Sequence, residues 1–184
     1  MGRSERREGA ALHIEGPLLP GERKSIEPIP ERLGVDLQKL QQLLTDSPWD
    51  DQEVWQAMRQ LIPTHLEPLW AWIVDETGWL KQAEHSVGVA HQYCGAEGKS
   101  ANCQANVEVA ITDDQVAVPI GARLYLPQTW TQDRERCRAA GVPAEIIFAT
   151  KPEIALELLR QAISDQVPPA PVLGDNAYGI NGAF

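Results

Sequence analysis

The sequence predicts a mixed α/β (α+β) fold, in which helices come first, a group of strands follows, and a helix and a last strand complete the order. Three observations lead to this class. Apolar residues recur at helical spacing over residues 31–62, short apolar runs occupy residues 69–126, and a helix-start signal at Thr150 precedes a final apolar run at residues 171–175. With 184 residues and 43% hydrophobic content, the chain can form one domain with a substantial apolar core.

The N-terminal part divides into an irregular segment at residues 1–30 and a small helical region at residues 31–66. Glycine and proline recur in the first segment, which favours loops and at most one short helix there. In the second region, Ser47 followed by Pro48 predicts a helix start, and Pro63 predicts its end. Two short helices joined by a turn fit a DNA-binding helix-turn-helix or a packed helical hairpin, and the hairpin is the more common arrangement.

Residues 67–184 contain the strands and the last helix of the predicted order. Apolar or alternating runs predict strands at residues 70–75, 86–90, 106–111 and 122–126. Three consecutive strands joined by short loops predict an antiparallel meander. Helices are predicted at residues 133–140 and after the capping box of Thr150 and Glu153, and a short strand then ends at Asp175.

Composition and charge argue against several classes of protein. The net charge of -10 opposes general nucleic-acid binding, because Lys and Arg supply most of the affinity for phosphate, although basic side chains cluster at residues 134–138. No run of about 18 apolar residues is present, so no membrane partner is expected. Residues 1–7 lack the apolar core of a signal peptide, and three cysteines are too few for a disulfide framework. A reducing, cytoplasmic location is therefore expected.

Two short motifs suggest ligand sites but fail on spacing. Residues 98–100 read GKS, as at the end of a phosphate-binding loop, but Tyr93 replaces the earlier glycine, so no nucleotide cofactor is expected. Four histidines and cysteines could form a zinc site, but they include no closely spaced cysteine pair. They are His85, His91, Cys94 and Cys103. We expect buried cysteines and polar histidines instead.

Two of the apolar runs end in an acidic residue. Asp75 follows the run at residues 69–74, and Asp175 follows the run at residues 171–174, one hundred positions later. Two carboxylates at neighbouring strand ends can bind Mg²⁺, which takes oxygen ligands and keeps several waters. Acids at strand ends are also common on solvated surfaces, so their spacing alone leaves both interpretations open.

Seven sequence blocks in a fixed order surround these acids. They are ERKSIEP (22–28), SPWDD (47–51), VDETG (74–78), KQAEHSVGVAHQYCGAEGKSANCQ (81–104), LYLPQTWTQDRERCRAAGVP (124–143), FATKPEIA (148–155) and GDNAYG (174–179). In this order, the chain resembles bacterial insertion-sequence transposases of the DDE type, which are DDE superfamily endonucleases. The resemblance extends from about Arg3 to Gly179.

The resemblance implies a ribonuclease-H-like core with a three-strand antiparallel meander, a helix and a fourth strand, preceded by the small helical region. It also implies that Asp75 and Asp175 are the first two catalytic acids and ligands of Mg²⁺ or Mn²⁺, with Glu76 as a neighbour of the site. The implied reaction is metal-dependent cleavage of DNA at the ends of an insertion sequence, followed by strand transfer to target DNA. DNA is thus the expected partner, and homo-oligomerisation is left open. Contacts to DNA phosphates are expected from Lys81, Lys99, Arg134 and Arg138.

The third acid of such transposases, a glutamate on a later helix, has no counterpart before Phe184. We therefore expect residues 67–184 to be an incomplete catalytic domain, with weakened metal binding and little or no strand transfer by this chain. Two alternatives stay open. One is a non-catalytic remnant that binds DNA or a complete transposase, and the other is a different nuclease of the ribonuclease-H fold.

Overall fold

The computed structural model describes residues 4–22, 27–45, 47–48 and 50–179, and the chain forms two compact units. The first unit is Met1–Gln52 and the second is Glu53–Phe184. The sequence analysis placed a domain boundary after residue 66, whereas the second compact unit begins at Glu53 and includes most of the helix that was predicted to end at Pro63.

The first unit contains three helices, α1 (Ser4–Leu18), α2 (Pro28–Leu33) and α3 (Leu37–Thr45). The prediction of an irregular segment is wrong for α1. Its residues are mainly Glu, Arg, Ala and Leu, which favour the helix, and Gly16 and Pro17 come only in its last turn. A Cβ on Gly16 would lie 2.2 Å from Cγ2 of Ile29, so only glycine permits this close approach of α1 to α2.

The second unit contains the sheet and the remaining helices. Helix α4 (Asp51–Leu61), which begins just before the unit boundary, continues into a 3₁₀ turn at Ile62–His65. The strands are β1 (Ala71–Leu80), β2 (Ala90–Cys94), β3 (Lys99–Thr112), β4 (Ala117–Leu124) and β5 (Val172–Gly174). The other helices are α5 (Gln128–Thr131), α6 (Arg134–Ala139), α7 (Lys151–Ser164) and α8 (Asn176–Gly179).

The sheet is mostly antiparallel and is built around β3. This strand pairs antiparallel with β1 and with β4, while its first residues pair with the short β2. Strand β5 then adds to β1 in the parallel direction. The predicted mixed α/β fold with an antiparallel meander, a helix and a further strand is therefore confirmed, and it is compatible with a ribonuclease-H-like core.

The strand predicted at residues 86–90 is wrong, because the chain turns there. The backbone N–H of Val89 donates to the carbonyl of Ser86 at 3.0 Å, and Gly88 has a φ of 77°. This left-handed conformation is one that glycine adopts readily and that ends an extended strand. The strand forms immediately afterwards, as β2.

Helix α7 covers one face of the sheet. On β1, Trp72 and Val74 point to this face, because alternate residues of a strand share a face. Five buried residues of α7 pack in the same core, at the spacing of one helix face. They are Ile154, Ala155, Leu158, Leu159 and Ala162. The capping box predicted at Thr150 is present and fixes the start of this helix.

Candidate functional site

The two predicted acids lie where β1 and β5 pair. Asp75 is the fifth residue of β1, which continues to Leu80, so the prediction that this strand ends at Asp75 is wrong, whereas Asp175 does follow the last residue of β5. Strands β1 and β5 run parallel, with Val74 paired to Gly174 as the last pair in their register. Asp75 and Asp175 are the next residues along each strand, and both are exposed. Because neighbouring strands lie about 4.8 Å apart, the parallel register brings the two acids to adjacent positions. The pairing therefore joins residues that are one hundred positions apart in sequence.

A third carboxylate, which the sequence analysis missed, lies across from Asp75. Glu108 of β3 is the register partner of Asp75, so the two side chains share a face of the sheet. The side-chain amide of Asn106 donates to Oε1 of Glu108 at 2.9 Å. No signal in the sequence identifies Glu108, because its place opposite Asp75 depends on the pairing of distant strands.

The opposite face of β1 carries Glu76, which forms an ion pair with Lys151 at the start of α7. Both side chains are mostly buried, at 20% exposed for Glu76 and 24% for Lys151. The ammonium group also lies 5.5 Å from the centre of the Tyr125 ring, within the range of a cation–π contact. Glu76 was predicted to be only a neighbour of the site, and its partner Lys151 was not predicted.

Tyr178 of α8 follows Asp175 in sequence by three residues and is a buried phenol. Its side chain is buried beside Val74 in the core under α7. Burial raises the pKa of the Tyr178 phenol, and the negative charges of Glu76, Asp175 and Asp75 raise the pKa further.

Lys81 and Lys99, two of the cations predicted to contact DNA, lie near the β2–β3 hairpin. Lys81 directly follows β1 and is half-buried, and its backbone exchanges hydrogen bonds with Asn102. Lys99 is the first residue of β3, with its side chain 71% exposed and 3.9 Å from a carboxylate oxygen of Glu97. The turn before Lys99 is a tight connection between two strands, which is unlike the strand-to-helix loop of a nucleotide site.

Arg134 and Arg138, the other predicted cations, lie on α6. The guanidinium of Arg134 donates to the carbonyl of Ile146 at 3.0 Å and so supports the loop after α6. Nε of Arg138 donates to the carbonyl of Arg134 at 3.3 Å, and the rest of this side chain is exposed. The structure therefore gives Arg134 a local structural role.

The cysteines and histidines do not come together as zinc ligands. Cys94 and Cys103 are completely buried, while His85 and His91 are exposed. Burial raises the pKa of the Cys103 thiol to about 11, with a further contribution from the neighbouring Cys94.

The carboxylates of Asp75 and Asp175 fit a hard divalent cation. Within the part of the chain that the structure describes, no three His, Cys, Asp or Glu side chains are arranged as a metal site. Asp75 and Asp175 nevertheless offer two exposed carboxylates side by side, and Mg²⁺ is commonly held by one or two carboxylates with water completing its shell. The residues present therefore suit such an ion.

Comparison with known proteins agrees with this architecture. Residues 1–184 match the family described as DDE superfamily endonuclease. A relative from Microchaete diplosiphon, described as a probable transposase for insertion sequence element IS701, is 32% identical over 174 residues. This match covers 93% of the chain and 42% of the relative, so the chain spans about two-fifths of that protein's length. No solved structure matches the chain. Among the described residues, no helix is long and apolar enough to cross a membrane. The chain therefore belongs to the DDE superfamily endonucleases, and within that family it is similar to an insertion-sequence transposase.

Proposed function

We propose that the chain carries the first two acidic residues of a divalent-metal-dependent site that cleaves and joins DNA strands during transposition of an insertion sequence. The family membership implies a divalent metal cofactor and DNA as the partner. The observation that supports the assignment most directly is the parallel register of β1 and β5, which brings Asp75 and Asp175 together. Asp75 would be the first acid and Asp175 the second.

In this proposal, Asp75 and Asp175 hold Mg²⁺ or Mn²⁺ through their side-chain oxygens. The bound metal supplies polarisation of the scissile phosphate and a lower pKa for an attacking water or hydroxyl. Strand β1 fixes Asp75 by its ladder of hydrogen bonds to β3. For Asp175, the backbone N–H of Ala177 donates to Oδ1 at 2.9 Å and orients the carboxylate. Both side chains are exposed, so DNA can reach them.

Contacts to the DNA backbone are proposed for Lys81, Lys99, Arg134 and Arg138. Lys99 is the best placed of these, because its side chain is 71% exposed and its ion pair with Glu97 is long and solvated. The chain is acidic as a whole, so DNA binding depends on such local cations. Replacing Lys99 with Ala is expected to weaken binding to DNA of any sequence and to reduce the salt dependence of the binding constant by about one phosphate contact.

The metal site is tested by titrating the chain with Mn²⁺ and measuring the concentration of the free ion by electron paramagnetic resonance. The wild-type chain is expected to bind Mn²⁺, and Asp75→Asn or Asp175→Asn should each weaken binding by about tenfold or more, since each removes a ligand charge. Glu145→Gln is the matched control, because it removes one charge from another exposed acid that is not proposed as a ligand. Equal affinity in the wild type and both Asp variants would refute the assignment.

The DNA function is tested with duplexes that carry the ends of the insertion sequence. Nicking that needs Mg²⁺ or Mn²⁺ and disappears in Asp75→Asn would support a catalytic role. The chain would instead be a non-catalytic protein if it binds these ends or a complete transposase without any divalent cation, and if this binding is unchanged in both Asp variants. Cleavage of RNA–DNA hybrids in preference to duplex DNA would identify a different nuclease of the same fold.

A further inference from the structure

One face of β1 carries a row of chemically different side chains that leads away from Asp75. The pairing of β1 with β3 is continuous along the whole of β1, so residues two positions apart share a face. Thr77 and Trp79 therefore lie on the same face as Asp75. The backbone N–H of Lys81 donates to the carbonyl of Asn102 at 2.9 Å, which extends the ladder and adds Lys81 to the row. The row thus offers a carboxylate, a hydroxyl, an indole ring and an ammonium group.

Trp79 keeps 45% of its surface exposed although it lies within a paired strand. The opposite face of β1 is covered at this point, since a Cβ on Gly78 would lie 2.9 Å from Sγ of Cys94. On the Trp79 face, the side-chain amide of Gln104 donates to the carbonyl of Val87, so the loop after β1 packs over β3 beside Trp79. Single exposed hydrophobic side chains are normal on protein surfaces, so the place of Trp79 in the row matters more than its exposure.

The row matches the length of a short piece of DNA strand. Residues of a β-strand rise by about 3.3 Å each, so Trp79 lies about 13 Å from Asp75 along β1, and Lys81 lies about 7 Å further. Successive nucleotides of a stacked DNA strand advance by about 3.4 Å, so the row spans a few nucleotides. A strand with one phosphate at Asp75 can thus place a base at Trp79 and another phosphate at Lys81.

The indole ring of Trp79 suits the flat face of a base. Stacking of bases on aromatic side chains stabilises the binding of single strands and tolerates any sequence. Inside a duplex, neighbouring bases cover these faces, so stacking on Trp79 requires an unpaired nucleotide. The net charge of -10 opposes binding through phosphates alone, whereas Lys81 supplies a local positive charge that complements a phosphate next to the stacked base.

We propose that Trp79 is a platform on which an unpaired base of the bound DNA strand stacks, and that Lys81 binds a phosphate of the same strand. This inference rests on the proposed function, because Asp75 is taken to hold the metal at the cleaved phosphate. It narrows the substrate to DNA whose strand is unpaired for a few nucleotides beside that phosphate.

Stacking is tested by the affinity of the chain for fluorescently labelled single-stranded oligothymidylate, measured by fluorescence anisotropy. Loss of one stacked base costs about 1–3 kcal/mol, so Trp79→Ala should weaken binding by about 5- to 150-fold. Trp79→Phe keeps an aromatic ring and should stay within about threefold of wild type. Trp70→Ala is the matched control, because it removes another exposed tryptophan, one that precedes β1, and it should leave the affinity unchanged. The affinity for a duplex of the same length should change by less than about twofold in Trp79→Ala.

The phosphate contact is tested by the salt dependence of the same binding. Lys81→Ala should reduce the slope of the logarithm of the binding constant against the logarithm of salt concentration by about 0.7, the value for one phosphate of a single strand. An unchanged slope would refute the contact assigned to Lys81.

The proposal is overturned if the wild type does not bind single-stranded DNA, or if Trp79→Ala binds it as tightly as wild type. Equal losses in Trp79→Ala and Trp70→Ala, or equal losses for single strand and duplex, would also overturn it. Quenching of tryptophan fluorescence by oligothymidylate gives a second readout that does not depend on a truncated side chain. Quenching should be smaller in Trp79→Phe than in wild type, and equal quenching in the two proteins would count against stacking on Trp79.

The same titrations in EDTA and in Mg²⁺ separate this inference from the proposed function. Mg²⁺ should tighten binding of the single strand to wild type but not to Asp75→Asn, because the ion neutralises the carboxylates that face the phosphate. If Mg²⁺ has no effect while Trp79→Ala still weakens binding in EDTA, the metal assignment fails and the stacking platform stands. If Mg²⁺ acts as expected while Trp79→Ala has no effect, the stacking platform fails and the metal assignment stands.

Discussion

Replacing Arg59 with Met should strongly destabilise the second unit of the chain. Nε of Arg59 donates to Oδ2 of Asp165 at 2.6 Å, and its Nη1 donates to the carbonyl of Ile120 at 3.1 Å. The arginine side chain is 5% exposed and that of Asp165 is 18% exposed. These contacts connect α4 to β4 and to the end of α7, across 106 positions of sequence in the case of Asp165.

The expected loss follows from what the substitution leaves behind. Removing one partner of a fully buried ion pair costs about 3–5 kcal/mol, because the other charge stays buried without compensation. Asp165 keeps some access to water, which reduces this cost, so we expect the free energy of unfolding to fall by about 2–4 kcal/mol. Methionine fills most of the volume of the arginine stem, so the change reports mainly on the charge and the hydrogen bonds.

Equilibrium unfolding in urea measures this loss as a shift of the midpoint at constant slope. Arg160→Met is the matched control, since Arg160 is exposed on α7, and it should change the free energy of unfolding by less than about 0.5 kcal/mol. A double-mutant cycle with Asp165→Asn should give a coupling of about 1–3 kcal/mol. A loss below about 1 kcal/mol in Arg59→Met, or no measurable coupling, would refute the reasoning.

Three further substitutions have defined outcomes. Gly78→Ala should destabilise the fold by about 1–3 kcal/mol, measured by urea unfolding, because a Cβ there would lie 2.9 Å from Sγ of Cys94. Asp75→Asn should raise the melting temperature of the metal-free protein, because it removes a like charge opposite Glu108, worth up to about 1 kcal/mol. The Glu153→Gln variant should have a lower free energy of unfolding than the wild type at neutral pH, and the two proteins should be equally stable in acid. Hydrogen bonds from the backbone and side chain of Thr150 lower the pKa of Glu153 below its ordinary value of 4.5. The contribution of the Glu153 carboxylate to stability is therefore complete above pH 4.5 and disappears as the pH falls through the lowered pKa.

Each of these expectations has its own control. Gly95→Ala should be tolerated far better than Gly78→Ala, because a Cβ added at Gly95 would meet no atom within 4 Å. Equal costs at the two glycines would contradict the packing argument. For the charge argument, an unchanged or lower melting temperature in Asp75→Asn would show that the repulsion is screened by solvent. For the cap, Glu135→Gln replaces an exposed acid on α6, and a pH dependence equal to that of Glu153→Gln would exclude the capping box as the cause.

Local patterns predicted the elements that depend on neighbouring residues. The start of α7 could be predicted because Thr150 and Glu153 exchange hydrogen bonds three positions apart. The end of an apolar run likewise marked Asp175 as a strand-end acid. The same signal was wrong for Asp75, because β1 continues to Leu80 through its antiparallel pairing with β3. The helix α1 was missed because Gly16 and Pro17 suggested a loop, although they lie only in its last turn. The strand expected at residues 86–90 failed for a similar reason, since an apolar run does not reveal the left-handed turn at Gly88.

The sequence by itself determined the fold class, the start of α7 and the position of the two acids along the chain. Tertiary structure alone decided which side chains meet at the site. The parallel register brings Asp75 beside Asp175, the antiparallel register brings Glu108 opposite Asp75, and the packing of α7 brings Lys151 to Glu76. The physical reason is that a helix cap or a turn is stabilised by bonds between near neighbours, whereas strand register and helix docking are fixed by contacts between residues far apart in the chain.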